Sequence, residues 1–245
     1  MDASAGAGPP LKIPTQHREP RPTVPAHGGR RGLCHAGFVV IVYIGQTRSH
    51  SLIESLTQLG FGECVLPDSS WPPKRKPYFA DNWAFPAWRK GIPWPEAEFV
   101  EFTERIAAYS DKPDFIVAPD KVAQGMESLS FSLMWARRLV GLCPIYLAVQ
   151  DGMSLEGVAE HLHHFQGIFV GGGLAWKLKT AWKWVVLAHA LDMRCHIGRV
   201  GTRKRVRWAE RIRADSIDSS LPLWSDENLD RFMDGLNPTQ WELPW

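Results

Sequence analysis

Eight short runs with strand character, separated mostly by helix-like stretches, constrain this sequence more than any other feature. Most of the runs are rich in Val, Ile, Phe and Tyr and end at a turn-forming residue. They cover residues 37–45, 63–66, 77–80, 114–118, 144–149, 167–171, 194–198 and 215–218. Amphipathic patterns predict helices at 49–59, 96–109, 127–140, 154–164, 174–190, 202–213 and near 225–235, whereas the Pro- and Lys-rich stretch 67–76 predicts a loop. This alternation predicts an α/β fold of the parallel (β/α)8 TIM-barrel type, with an open doubly wound sheet as the alternative.

The length and composition fit one such barrel. Of the 245 residues 44% are hydrophobic, so a large core is expected. We divide the chain into a Pro-, Gly- and Arg-rich arm at 1–36, expected to be flexible, and a barrel domain at 37–245. We expect no membrane partner, because no apolar run reaches the roughly 18 residues that a membrane helix needs and the arm has no signal-peptide pattern. The four cysteines form no paired motif, which predicts a cytoplasmic setting and neither a zinc site nor disulfides.

Polar residues follow most of the predicted strands. Asp81 follows the third strand, Asp120 the fourth and Gln150 the fifth, and Asp218 closes the eighth. In a TIM barrel these strand ends form one rim, where the active site lies. Any single aspartate has an ordinary explanation as the N-cap of the next helix. Three of them at one rim favour a functional site.

Two further rim segments suggest binding of oxygen atoms or anions. Gly171–Gly173 follow the sixth strand, where glycines allow either tight packing or backbone N–H contacts to a ligand. Seven Arg or Lys residues lie between Arg199 and Arg213, after the seventh strand, although the net charge of the chain is only +2. That position commonly binds phosphate in barrels, and a solvated basic helix is the alternative. The histidines at 161, 163 and 164 are interpreted as surface residues rather than metal ligands.

Five segments resemble, in order, motifs of the tRNA-guanine transglycosylase superfamily. They are "YFAD" (78–81), "FIVAPDKV" (115–122), "YLAVQDG" (146–152), "GGGLAWK" (171–177) and "HIGRVGTRKRVRWAERIRADSIDSS" (196–220). The resemblance covers residues from about 40 to 225. The sequence differs from the family's motifs at three places. After Asp81, "NWAFPAW" replaces the family's glycines and glutamine, and the residues that follow "GGLA" and "DSS" also differ from those of the family.

The resemblance implies a role for each matched residue. Asp218 is the expected nucleophile and Asp81 the general acid/base, while Asp120 accepts hydrogen bonds from N1–H and the 2-amino group of guanine. Gln150, Gly172 and Gly173 donate to O6, and Leu174 lies near the 7-substituent. The residues expected to bind nucleic-acid phosphates are Arg199, Gly201, Arg203 and Lys204, with the loop Lys74–Lys76 as a further backbone contact and Trp83 or Trp176 as stacking surfaces.

The zinc-binding subdomain of the tRNA enzymes has no counterpart here. The chain is therefore more similar to the short, zinc-free phage and bacterial 7-deazaguanine DNA transglycosylases, which exchange guanine in DNA for a 7-deazaguanine base and so protect it from restriction. This resemblance implies DNA and a 7-deazaguanine base as partners and no cofactor or metal, and it leaves the oligomeric state open. The alternatives are a tRNA-guanine transglycosylase, a non-catalytic nucleic-acid-binding barrel and a sugar-phosphate enzyme on the same fold.

Overall fold

Eight parallel strands close into a barrel in the computed structural model, which describes residues 40–236. Each strand pairs with the next one along the chain, and the first pairs with the last. The strands are β1 (Ile41–Gly45), β2 (Gly62–Val65), β3 (Tyr78–Ala80), β4 (Ile116–Val117), β5 (Ile145–Val149), β6 (Gly167–Val170), β7 (Arg194–Ile197) and β8 (Ser216–Ser219). The predicted (β/α)8 barrel is confirmed, and the open sheet is excluded.

Eight α-helices lie between or after these strands in residues 40–236. They are α1 (His50–Gln58), α2 (Ala84–Lys90), α3 (Glu96–Ala108), α4 (Met126–Leu139), α5 (Leu155–Ala159), α6 (Leu174–Ala190), α7 (Arg203–Arg211) and α8 (Asp226–Leu236). The helix predicted over 154–164 is split into α5 and a 3-10 turn at Leu162–His164, and a second 3-10 turn covers Leu221–Leu223. Helix α2 is an addition that the sequence patterns did not predict. The predicted arm at 1–36 lies outside the described residues.

Aromatic side chains fill the interior of the barrel. Phe115 stacks on Phe79, with ring centres 4.7 Å apart, and on Tyr146 at 3.9 Å. Glycines in β6 and directly after β7 make room for these rings. A Cβ atom on Gly167 would collide with the ring of Tyr146, and one on Gly198 would lie 2.7 Å from Phe169. A substrate therefore has room only at the rim, because the interior below it is packed.

The opposite faces of the strands form a second core against the helices. Strand residues such as Ile44, Val65 and Leu147 are fully buried there and pack with Phe99, Trp184 and other helix residues. This division follows from the alternation of side chains along each strand, which sends successive residues into the barrel and toward the helices.

The connection between β2 and β3 contains no helix, as the sequence predicted. Arg75, only 1% exposed, instead covers this side of the barrel and donates to the carbonyl oxygens of Ile44 (2.7 Å) and Gly45 (3.0 Å). The carboxylate of Glu63 accepts from the backbone N–H of Arg75 at 3.0 Å. The prediction that this loop contacts a nucleic-acid backbone is therefore wrong for Arg75, which is buried, whereas Lys74 and Lys76 are exposed.

Among residues 40–236, the longest and most apolar helices still fall short of what is needed to cross a membrane.

Candidate active site

The structure brings Asp81, Asp120 and Asp218 together at the carboxyl ends of the strands. Asp81 directly follows β3, Asp120 follows β4, and Asp218 lies in β8. All three positions lie at the carboxyl ends of barrel strands, which form one rim, and Asn82, the residue after Asp81, donates to Asp120. The charges of Asp218 and Asp120 both act on Asp81, which agrees with this grouping. We call this part of the rim the carboxylate mouth.

Asp81 has an unusual protonation equilibrium. Burial raises the pKa of its carboxyl group to about 7, with the charges of Asp218 and Asp120 adding to the effect. A hydrogen bond from the backbone N–H of Trp83 (2.8 Å) and the charge of Arg199 oppose this rise in pKa. A carboxyl group with a pKa of about 7 can both give and accept a proton near neutral pH.

Asp218 is held from below by a buried histidine. Its Oδ1 lies 2.9 Å from Nε2 of His196, and Nδ1 of His196 lies 2.8 Å from the hydroxyl of Ser216. Burial lowers the pKa of His196, although the hydrogen bond and charge of Asp218 oppose this, so we assign a neutral ring. Ser216 then donates to Nδ1, and Nε2–H donates to Asp218. The backbone N–H of Arg199 also donates to Oδ1 at 3.2 Å, whereas Oδ2 accepts no hydrogen bond from residues 40–236.

Asp120 is oriented by an amide side chain. Asn82, which is buried, donates from Nδ2 to Oδ1 of Asp120 at 2.9 Å and to the carbonyl of Ala118 at 2.8 Å. The pKa of Asp120 is raised to about 6 by burial, against the lowering effects of this hydrogen bond and of Arg199. Asn82 thus connects the end of β3 to the loop after β4.

Gln150 holds the same loop from the other side. Its Oε1 accepts from the backbone N–H of Ala123 at 2.6 Å, and its Nε2 donates to the carbonyl of Lys121 at 2.9 Å. Nε2 also lies 3.5 Å from Oδ2 of Asp120. Both ends of the amide are therefore engaged within the protein, and its contact to a base oxygen stays a prediction.

The glycine run makes polar contacts with two neighbouring side chains. The backbone N–H of Gly173 donates to Asp151 at 2.5 Å, and the carbonyl of Gly172, a residue with φ of +67°, accepts from the Arg199 guanidinium. Leu174 is 44% exposed at the first position of α6. The N–H of Gly173 is therefore occupied by a side chain of the protein, and its contact to a base oxygen stays a prediction.

The residues predicted to bind phosphates occupy different environments. Arg199 has a left-handed backbone (φ +60°), and its guanidinium carbon lies 3.9 Å from the ring centre of Phe85. The charges of all three aspartates act on this guanidinium and favour its charged form. Gly201 is buried, and a Cβ atom there would lie 2.6 Å from the Ser219 hydroxyl. Arg203 is half-buried in the first turn of α7, and Lys204 beside it is exposed.

The predicted stacking residues also differ. Trp83 is half-buried, and the ammonium of Lys90 lies 4.5 Å from its ring centre. Trp176 is half-buried against Trp184. His163 is exposed and His161 and His164 are half-buried. The structure shows no group of three His, Cys, Asp or Glu residues able to hold a metal ion within the described part of the chain.

Sequence reasoning missed two buried residues of this region. His196 lies in β7, two positions before the turn that follows the strand. Because side chains alternate between the two faces of a strand, this position predicts a side chain inside the barrel, and the sequence offered that sign of its burial. Lys177 is buried near the start of α6, where its ammonium donates to the carbonyl of Gly198. Burial lowers the pKa of Lys177 to about 7, with the charge of Arg199 adding to the effect. Its position in a lysine-containing helix gave no sign of burial.

No protein-family model matches this chain, and a search of curated proteins finds no significant match.

Proposed function

We propose that this protein is a base-exchange transglycosylase that replaces guanine in DNA with a 7-deazaguanine base. The observation that carries the proposal is the grouping of Asp81, Asp120 and Asp218 in one mouth with three different environments. Burial raises the pKa of Asp81 to about 7 and that of Asp120 to about 6, and an amide side chain also holds Asp120. A buried histidine holds Oδ1 of Asp218 and leaves Oδ2 for a reacting atom.

In the first half of the reaction, Asp218 is the nucleophile. Its Oδ2 attacks C1′ of the target nucleotide, the bond from C1′ to N9 of guanine breaks, and a glycosyl ester forms. Asp81 donates its proton to the departing purine. The hydrogen bonds from His196 and Arg199 to Oδ1 hold the carboxylate in one orientation during this attack.

The second half reverses these roles. The N9–H of the incoming 7-deazaguanine gives its proton to Asp81, N9 attacks C1′, and the ester bond to Asp218 breaks. Each protonation state that Asp81 needs is accessible because its pKa lies near 7. The protein returns to its starting state without a cofactor.

Asp120 selects guanine in this proposal. A carboxylate accepts hydrogen bonds from the neighbouring N1–H and 2-amino groups of guanine and of 7-deazaguanine. Adenine lacks this pair of donors and would leave the carboxylate unpaired in a buried site, which costs about 1–3 kcal/mol or more. Asn82 holds Oδ1 of Asp120 and thereby fixes the plane of the carboxylate.

The target nucleotide must leave its stack, because its C1′ cannot reach a recessed mouth from within a duplex. Exposed Lys204 contacts the backbone of the same strand. We place the activity in the cytoplasm of a bacterium or of a phage-infected host. The three cysteines within residues 40–236 are free thiols, which suits a reducing compartment. The exchanged base would protect the DNA from restriction.

The test is incorporation of a labelled 7-deazaguanine base into DNA or tRNA, read by mass spectrometry of the released nucleosides. We expect incorporation into DNA by the natural protein and by the surface control Asp111→Asn, and none by Asp218→Asn. Incorporation into tRNA alone would contradict the choice of DNA. Incorporation into neither, under conditions where the protein is folded and binds nucleic acid, would contradict base exchange.

A further inference from the structure

Helix α2 presents aromatic and basic side chains beside the carboxylate mouth. Trp88 is 53% exposed, and its ring centre lies 5.9 Å from that of Phe85, with the two planes inclined by 29°. Arg89 and Lys90 follow it and are both exposed. We call Phe85, Trp88, Arg89 and Lys90 the α2 platform.

The α2 platform is continuous with the mouth. Asn82, which holds Asp120, accepts a hydrogen bond from the N–H of Ala84 at 2.8 Å, so the first turn of α2 is tied to the site. Phe85 lies under the guanidinium of Arg199, which is itself within the field of the three aspartates. The aromatic surface therefore begins at the mouth with Phe85 and reaches solvent with Trp88.

The chemistry of this surface fits an unstacked nucleotide. Large exposed aromatic rings add to binding when a base stacks on them, typically by about 1–3 kcal/mol per base, and adjacent cations neutralise the backbone phosphates. Extrusion of a target nucleotide deprives each neighbouring base of one stacking partner. The indole of Trp88 is exposed beside the mouth, and the cationic residues Arg89 and Lys90 follow it. This ring can stack on the neighbouring base in place of the extruded one.

We propose that Trp88 stacks on the base next to the target nucleotide in the opened strand, while Arg89 and Lys90 contact the phosphates of that strand. The proposal rests on the proposed function, because it takes the carboxylate mouth as the place where the target base is bound.

The experiment measures the Kd of a fluorescein-labelled single-stranded oligonucleotide containing one guanine, and the KM and kcat for base exchange in the same DNA. Trp88→Ala is compared with Trp88→Phe and with Trp182→Ala. Trp182 is a matched control because it is 50% exposed, lies on helix α6 and also has a lysine beside its ring. We expect Trp88→Ala to raise Kd and KM about tenfold with kcat within twofold of the natural protein, Trp88→Phe to recover most of the loss, and Trp182→Ala to change neither constant.

Two results would overturn the proposal. One is an unchanged Kd in Trp88→Ala, and the other is an equal loss in Trp88→Ala and Trp182→Ala. Failure of the proposed function gives a different pattern, in which the natural protein binds the oligonucleotide in a Trp88-dependent manner but exchanges no base. If Trp88→Ala does not fold, the pair Trp88→Phe and Trp88→Leu decides, since only the aromatic residue should retain the natural Kd.

Discussion

The interior of the barrel and the carboxylate mouth are built from the same strands and have opposite character. Phe79 lies in β3, two positions before Asp81, which directly follows the strand, and Ser216 and Asp218 are two positions apart in β8. Because alternate residues share one face of a strand, each pair points into the barrel at successive levels. The lower level consists mostly of closely stacked aromatic rings, with Ser216 bonded to His196, whereas the upper level carries charge.

This contrast shows how the fold sets up the site. The packed rings exclude water from below, so the carboxyl groups above them are partly desolvated and the pKa of Asp81 rises. His196 lies at the boundary between the two levels. Its ring stacks on Phe169 at 4.8 Å, and its Nε2 bonds to Asp218. The interior therefore provides stability, whereas the buried carboxyl groups of the mouth cost some stability.

The largest expected effect is on activity, in the mouth. If the protein catalyses the proposed base exchange, Asp218→Asn should reduce its rate by on the order of 10⁴-fold or more, because the amide cannot form the glycosyl ester. The melting temperature should change by no more than a few degrees, since the side chain is not part of the aromatic core. Exchange assays and thermal melts of the same preparation check both statements. Residual exchange within tenfold of the natural rate would remove Asp218 from the mechanism.

The next effect is on stability, in the interior. Phe115→Ala should lower the free energy of unfolding by about 3–5 kcal/mol, because the ring is buried between two others. The same change at half-buried Phe85 should cost clearly less and should weaken DNA binding instead. Urea unfolding of the two variants separates them. Equal losses of stability in the two variants would contradict the larger contribution assigned to the interior ring of Phe115.

A third prediction concerns the boundary residue. His196→Leu should slow exchange by about 10–100-fold, because a hydrogen bond to a charged group is worth about 1.5–3 kcal/mol. His196→Gln, which keeps a donor nitrogen, should recover part of the rate. Rates for both variants at saturating DNA and base provide the measurement. Equal rates in the two variants would assign His196 a packing role alone.

The smallest effect is the pH dependence of stability. The folded-state pKa of Asp81, about 7, lies above the ordinary value of 3.8 for an aspartate, so the folded protein binds this proton more tightly than the unfolded chain. The natural protein should therefore lose stability relative to Asp81→Asn as pH rises from about 4 to about 7. We expect a difference of about 1–2 kcal/mol at pH 8, less than the full shift implies because the group is partly exposed. Denaturant unfolding at pH 4 and pH 8 tests this, and a constant difference would contradict it.

The same pKa predicts opposite pH limbs for the two halves of the reaction. In the proposed reaction, guanine release requires protonated Asp81 and should slow above pH 7, whereas attack by the incoming base requires ionised Asp81 and should slow below pH 7. Single-turnover rates of each half, followed separately, distinguish these limbs. Parallel pH profiles for the two halves would assign the proton transfers to another group.

Much of this architecture could be predicted from the sequence because strand and helix periods are local. Short runs such as "GIFVG" and the residues at their ends identify both the barrel and the aspartates of its rim. Helix α2 was not predicted, because its sequence "AFPAWRK" is too short to show a helical period and contains a proline. The burial of Arg75, Lys177 and His196 also escaped prediction, since it depends on which strands and loops meet when the barrel closes.

The most direct test of the central claim is to identify the covalent adduct. The protein is incubated with a guanine-containing oligonucleotide without an incoming base, quenched in acid, and digested for peptide mass spectrometry. We predict that the peptide containing Asp218 carries the mass of the deoxyribose-linked DNA, and that adding a 7-deazaguanine base before the quench removes it. An adduct on Asp81 or another residue, or exchange without any adduct on Asp218, would contradict the account.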